Sequence, residues 1–433
     1  MFEVNEFQQR RARLIKSMGA GIAIIPTAAE AIRNRDSHYP YRFDSYFYYL
    51  TGFTEPEAVL VLVAGDISKS ILFCRDKDVE REIWDGFRFG PDAAKAQFGF
   101  DEAYSFSQLD EMMPKLLANQ STLFHSLGAN MRWDRRVTGW LNAVKAQVRT
   151  GERAPESIRD VHQLVDNMRL IKSPYELNLM RRSGQIAAAA HNRAMHRTKK
   201  LKFEYEVEAE FLHEFRRQST MPSYNPIVAG GANACTLHYN ANDCALKEGD
   251  LLLIDAGCEL EGYASDITRT FPVNGKFSAV QKDVYEMVLA AQAAAIEKAK
   301  PGEHWNAPHD AAVRVLAQGL VDFGLCEGSV DAVIETGAYR QFYMHRTGHW
   351  LGLDVHDAGD YKDKAGEWLK LQTGNVLTVE PGCYIRPADN VPEAFWNIGI
   401  RIEDDVVITK TGNEVLTKDA VKTVAEVEAL MQS

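Results

Sequence analysis

Five residues in the back half of the chain have the types and the spacing to do chemistry: Asp255, Asp266, His349, Glu380 and Glu403. The acids sit in Ile254-Asp255-Ala256-Gly257, Asp266-Ile267-Thr268-Arg269, Val379-Glu380-Pro381-Gly382 and Arg401-Ile402-Glu403-Asp404. Each lies in an apolar, strand-like run, where an ionised carboxylate is costly unless it is paired or bound to metal. Two divalent cations would neutralise four such acids; one would leave a large deficit. An oxygen-rich set with a single imidazole suits Mn²⁺, Co²⁺ or Zn²⁺ better than a thiolate-rich zinc site would. Two metals roughly 3.5–4 Å apart hold a bridging hydroxide at neutral pH and polarise a substrate carbonyl. The reaction class this favours is metal-assisted hydrolysis.

Particular elements must bring these side chains together. Asp255 and Asp266 flank the turn-like segment Glu259-Leu260-Glu261-Gly262. A hairpin folded about residues 260 and 261 sets them directly opposite, with Cβ atoms about 5 Å apart. A shared cation turns their repulsion into attraction. Glu380 and Glu403 repeat the arrangement about the loop Ala388–Glu393, which hints at an internally duplicated sheet. Arg401 precedes Glu403 by two positions, so on a strand both point to one face and the guanidinium can hold an acid in place. His345, His349 and His356 fall in one run, Met344–Asp357, and His238 follows the glycine-rich Val228–Asn233. One imidazole can ligate; the others can hydrogen-bond a carbonyl or an intermediate. Cys258 and Cys383 lie near the acids but read as small packing residues.

These motifs, with Trp350-Leu351-Gly352-Leu353-Asp354-Val355-His356-Asp357 and the front-half runs Arg33–Arg42 and Tyr49–Ala58, resemble the pita-bread metallopeptidase family. The match is to its bacterial Xaa-Pro aminopeptidases, the aminopeptidase P group, over nearly the whole length. The resemblance implies that Asp255 binds one metal, that His349 and Glu380 bind the other, and that Asp266 and Glu403 bridge. It implies that a metal-bridging hydroxide attacks the scissile carbonyl, with Glu380 handling its proton. His238 and His356 would contact substrate and steady the intermediate, His345 would share that pocket, and Tyr384 would belong to the substrate-binding set. Tyr224 and Arg401 would support Asp255, Arg401 as part of the catalytic apparatus. Trp84 resembles a tryptophan that reaches a neighbouring subunit's active site, which implies a homo-oligomer, a dimer or tetramer. The metal usual in such relatives is Mn²⁺. One departure is Arg346, where many relatives have Gly.

The substrate implied is a peptide with proline second. That bond is a tertiary amide with no N–H and a restricted φ, so it needs a dedicated site. The alternative reading is an Xaa-Pro dipeptidase (prolidase) with the same dinuclear centre. More distant are a non-catalytic pita-bread binding protein, a metal-free amidinohydrolase of the creatinase type and a methionine aminopeptidase. The first two of these fit poorly with a complete ligand set, and the third would not need the front half.

The chain has 433 residues, 45% hydrophobic and 25% charged, which suits two globular domains. The motif Ser173-Pro174-Tyr175-Glu176 is a capping box with proline at the first helical position. It sets the expected domains at 1–172 and 173–433. The front domain is expected to be α/β with a mixed sheet. Asn5 is positioned to cap a first helix that buries Phe7, Leu14, Ile15 and Met18 and stops at Gly19. Apolar runs follow at Gly21–Ile25, Tyr46–Leu50, Ala58–Val63 and Ser70–Cys74, between helix-like Asp92–Phe98 and Leu109–Ala118. The back domain is expected to be an α+β pita-bread catalytic domain.

A net charge of −11 disfavours nucleic acid as a partner. The six cysteines are scattered with no Cys-x-x-Cys pair and read as reduced thiols. The polar start lacks a signal-peptide core, and no apolar run approaches the roughly 20 residues of a membrane span. The expectation is a cytoplasmic enzyme that acts on peptides and not at a membrane.

Overall fold

The computed structural model describes residues 3–433; Met1 and Phe2 of the polar start lie outside the described residues. The chain forms two compact units, Met1–Met168 and Arg169–Ser433. The division therefore falls before Arg169 and not after Lys172. Both cations are buried against Asp357 of the second unit, Arg169 Nη2 at 2.5 Å from Oδ1 and Lys172 Nζ at 2.9 Å from Oδ2. A segment held by buried ion pairs is part of a core, not a linker.

In the first unit six strands form a mixed sheet. Their order is Glu102–Ser105, Lys69–Cys74, Val59–Ala64, Gly21–Pro26, Thr122–Phe124 and Ser157–Arg159. The strand Val59–Ala64 pairs antiparallel with both its neighbours, and the other three pairings are parallel. Two expectations need correction. The first helix, Val4–Met18, starts at Glu3, so Asn5 lies within its first turn; Gly19, with φ 73°, does end it. The run Tyr46–Leu50 belongs to a helix, Ser45–Thr51. Asp44 caps it by accepting from the Phe47 N–H at 2.9 Å, and Gly52 closes it in the left-handed conformation. Those two end signals outweigh the strand preference of the aromatic run.

In the second unit the Ser173 capping box is realised: Ser173 Oγ accepts from Glu176 N at 3.3 Å and the Glu176 carboxylate from Ser173 N at 2.9 Å. The helix it opens, Pro174–Thr198, packs with Glu204–Arg217 and Ala279–Lys298 over one face of the strands. Ala187, Phe211 and Val288 meet Leu252, Ile254, Leu377 and Ile400 in one core.

Two long hairpins build the other face, and both are interrupted where the acids sit. Strands Leu251–Asp255 and Thr268–Pro272 pair with Asp255 opposite Thr268, and the hairpin continues as Cys258–Leu260 against Tyr263–Ala264. The turn is Glu261-Gly262, both with positive φ, 50° and 82°. The pairing centre is therefore one residue further on than a fold about 260 and 261. Asp255 and Asp266 are diagonal neighbours on one face, not directly opposed. The second hairpin pairs Val379 with Asp404 and Gly382 with Arg401. That register, carried through the break, sets Glu380 opposite Glu403 as expected. The two hairpins join side by side: Glu403 N donates to Thr268 O at 3.0 Å.

Candidate active site

Asp266, Glu380 and Glu403 occupy breaks between strands, and Asp255 is the last residue of the strand Leu251–Asp255. The side chains of Asp255, Asp266, His349, Glu380, Arg401 and Glu403 converge on one cavity of about 810 Å³, which His238, His345 and His356 also line. His349 comes from a loop held to the strand Val376–Val379 by paired bonds, His349 N to Thr378 Oγ1 at 3.1 Å and Thr378 N to His349 O at 3.0 Å. Only glycine fits at Gly348: a Cβ there would come 2.0 Å from Thr378 O.

The ring of His349 is oriented for ligation. Its Nδ1–H donates to Trp350 O at 2.9 Å, which leaves Nε2 as the nitrogen that can bind a metal once it gives up its proton. That nitrogen faces Asp266 Oδ2 at 3.4 Å and Glu380 Oε1 at 3.7 Å. Asp266, His349 and Glu403 bring ligand atoms within 4.8 Å of one another. Arg401 supplies a fixed cation: Nη2 meets Asp255 Oδ2 at 2.6 Å, Nε donates to Thr268 Oγ1 at 3.0 Å and Nη1 to Tyr384 Oη at 3.0 Å. Thr268 Oγ1 in turn donates to Glu403 Oε2 at 2.6 Å.

Residues 178–410 match the profile of Metallopeptidase family M24, and residues 7–124 match Aminopeptidase P, N-terminal domain. The chain belongs to metallopeptidase family M24. It is 47% identical to the Xaa-Pro aminopeptidase of Haemophilus influenzae over 98% of this chain and 97% of that one. The structure of Pseudomonas aeruginosa aminopeptidase PepP superposes with a TM-score of 0.97 at 49% identity, covering 100% of this chain and 98% of the other. Escherichia coli aminopeptidase P, solved as a variant in complex with substrate, superposes with a TM-score of 0.96 at 46% identity, covering 100% and 98%. The expected fold, a front α/β unit with a mixed sheet followed by a pita-bread catalytic unit, is the M24 architecture found here.

The donor set of this M24 centre fits divalent metal. Burial pushes the Asp255 carboxyl up to about 6 against the pull of Arg401, and Glu380 up to about 7 against His349. Glu403 is raised well above its ordinary value, first by burial and then by Asp266 and Glu380. Burial would lower the His349 pKa, but Asp266 and Glu380 outweigh it and bring it to about 9. The protein's own cations thus leave the acids short of counter-charge. Tyr224 makes the same point, since its single hydroxyl hydrogen faces two carboxylate oxygens, Asp255 Oδ1 and Asp266 Oδ1, both at 2.5 Å.

Other expected site residues sit less simply. Both ring nitrogens of His345 are engaged: Nδ1–H donates to Arg346 O at 2.7 Å, and Nε2 accepts from Tyr384 Oη at 2.9 Å. Tyr384 itself is 1% exposed and lies behind the cavity wall, so it touches His345 and Arg401 and not the open pocket. Trp84 is 82% exposed on the helix Val79–Asp85 and is not among the cavity's lining residues. His356 stands edge-on to His349, ring centroids 4.2 Å apart.

Sequence reasoning missed Thr268, which joins Glu403 to Arg401, and Asp405, whose carboxylate accepts from Asp266 N at 3.2 Å. It also missed the aromatic side of the cavity, Trp305, Tyr361 and Trp368. Thr268 was open to discovery as the partner opposite Asp255; the aromatics carry no spacing signal. Tyr224→Phe is expected to lower kcat about 10–100-fold while leaving the fold intact, the usual scale for a group that orients ligands. Metal titration and steady-state kinetics on the variant check this.

Proposed function

We propose that this chain is a metal-dependent aminopeptidase that removes the first residue from peptides whose second residue is proline. The observation that carries this reading is the convergence of four carboxylates and the Nε2 of His349 on one cavity. The near full-length relatives, named as Xaa-Pro aminopeptidases, support the proline preference. A dipeptidase reading is not favoured, because those relatives and the front-unit profile all carry aminopeptidase names.

Asp255, Asp266, His349, Glu380 and Glu403 would hold two divalent cations. When bound, the cations supply Lewis-acid charge that acidifies water and polarises the scissile carbonyl. Mn²⁺ is our assignment, because hard carboxylate oxygens dominate the set; Co²⁺ and Zn²⁺ are also compatible. Glu380, at the cavity wall and held by Thr378 Oγ1 at 3.4 Å, moves the proton between the attacking water and the departing amine. His238 and His356 line the cavity where they can donate to the substrate carbonyl. His345 and Tyr384 act by relay: Arg401 donates to Tyr384, and Tyr384 donates to His345. That chain fixes the wall against which the substrate lies.

We also infer a homo-oligomer, a dimer or tetramer, supported by the exposed apolar side chains of Val79, Ile83 (79% exposed) and Trp84 on the otherwise charged helix Val79–Asp85. The cytoplasm is our assigned compartment, supported by six cysteines without a disulfide. No described helix is long and apolar enough to cross a membrane.

A panel of Xaa-Pro dipeptides, tripeptides and longer peptides tests the reading. Tripeptides and longer substrates are expected to be cleaved at Xaa-Pro, activity to vanish on chelation, and Mn²⁺ to restore it best. Cleavage confined to dipeptides, or activity that survives complete metal removal, overturns it.

A further inference from the structure

The cavity is acidic at its floor and basic at its mouth. The segment after His356 folds into a small hairpin in which Leu369 N donates to Tyr361 O at 3.0 Å and Asp363 N to Glu367 O at 2.8 Å. Lys362 and Trp368 pair across it. The Lys362 ammonium stands 4.4 Å from the centroid of the Trp368 ring. Arg346, from the loop that carries His345 and His349, stands 5.1 Å from the same centroid. Its Nη2 also donates to Asn306 Oδ1. Both cations line the cavity and are exposed, and among the described residues neither forms an ion pair with a carboxylate. Asp360 lines the same cavity without pairing to either.

A peptide is itself a dipole, cationic at its amino end and anionic at any carboxylate further along. With two divalent cations bound, the four acids at the floor are neutralised and discriminate little between the two ends. Arg346 and Lys362 repel the first and attract the second, and the Trp368 ring fixes where both charges sit. An enzyme that removes one residue needs a closed pocket on the amino side and an open path for the rest of the chain.

Resting on the aminopeptidase reading, we infer that Arg346, Lys362 and Trp368 form a subsite for a carboxylate on the departing peptide. It sets a preference for acidic substrates downstream of the proline. The shared chemistry is a carboxylate, borne either by an Asp or Glu side chain after the proline or by a short peptide's own C-terminus.

The test uses the metal-loaded, full-length protein and four peptides: Ala-Pro-Glu-amide, Ala-Pro-Gln-amide, Ala-Pro-Lys-amide and Ala-Pro-Gln with a free C-terminus. The ratio of kcat/KM values is read. The wild type is expected to favour at least one carboxylate-bearing peptide over Ala-Pro-Gln-amide by about three- to tenfold, the scale of an exposed ion pair. The difference should appear mainly in KM and shrink at high salt. The Glu-amide and free-acid arms tell which source is read. In the Arg346→Gln/Lys362→Gln double variant the ratio should fall to about one, while Arg346→Lys retains most of it, because exposed pairs of this kind depend chiefly on charge.

Calorimetry of Pro-Glu-amide, Pro-Gln-amide and free-acid Pro-Gln on the metal-free protein gives the same ordering independently of turnover. Equal binding of all three peptides, or a preference that persists in the double variant, overturns the subsite. No turnover of any Xaa-Pro peptide would instead overturn the aminopeptidase reading, and the calorimetric ordering would still decide the subsite.

Discussion

Glu403→Gln is expected to lower kcat/KM by about a thousandfold or more, in a protein that folds as the wild type does. The side chain and the backbone at this position do separate jobs. The backbone is held by Glu403 N on Thr268 O at 3.0 Å and by Arg269 Nη1 donating to Glu403 O at 2.5 Å. Arg269 is fully buried and also ion-pairs with Asp404 at 2.7 Å. None of that needs a charge on residue 403. The amide keeps the shape of the side chain and an oxygen to accept from Thr268. What it removes is one of four carboxylates, and with it the charge proposed to bridge two cations. Metal analysis of the purified variant should find less than the wild-type content. The metal-free variant should melt no lower than the metal-free wild type, because one like charge has left a crowded site. Near-normal turnover with full metal content would refute the bridging role, and Asp266→Asn is a parallel case.

The contrast between the two hairpins explains how far the sequence could be read. The same midpoint argument served both acid pairs. It succeeded for Glu380 and Glu403, across the longer loop, and missed by two positions for Asp255 and Asp266. The difference lies in the turn. Glu261 and Gly262 both adopt positive φ, the two-residue geometry that Asn-Gly and Asp-Gly usually supply. A Glu in that conformation gives no local signal, so the centre was set one residue early. The acids were legible because charged residues in apolar runs are anomalous, Arg401 because it stands two positions from Glu403, and the histidines through their clustering and the family resemblance.

Tyr384, buried among apolar neighbours, was read as a substrate contact and proves to be the link between Arg401 and His345. An aromatic hydroxyl looks the same in sequence whether it faces a pocket or stands behind its wall. The helix Ser45–Thr51 was hidden for a related reason. Its residues Tyr46 and Phe47–Leu50 are aromatic or apolar as a strand would be, and only Asp44 and Gly52 at its ends distinguish it.

Asp357→Ala is expected to destabilise the second unit by about 3–5 kcal/mol, the scale of removing one partner from a buried ion pair. Asp357 is 6% exposed; Arg169 is 1% and Lys172 4% exposed. Its carboxylate binds both cations and also accepts from Asp354 N at 3.3 Å. Without it, Lys172 loses the buried carboxylate it pairs with, and Arg169 keeps its ion pair with Asp354, which is partly solvent-exposed. Asp357 follows His356 directly, so the same anchor holds that histidine's loop and its loss should raise KM as well as lower the melting temperature.

The pH dependence has a definite sign. Burial alone would raise the Asp357 pKa, but Lys172 and Arg169 outweigh burial and hold it below the ordinary value. A carboxyl with a depressed folded-state pKa adds stability that is fully present above its unfolded value, about 3.9. That stability is lost as pH falls through the folded-state value. The melting difference between wild type and Asp357→Asn should therefore be constant from pH 7 down to about pH 5 and close below about pH 4. Thermal unfolding of both proteins across that range measures it. A difference that stays constant into strong acid would mean that the charge on Asp357 is not what holds the segment Arg169–Lys172 in the second unit.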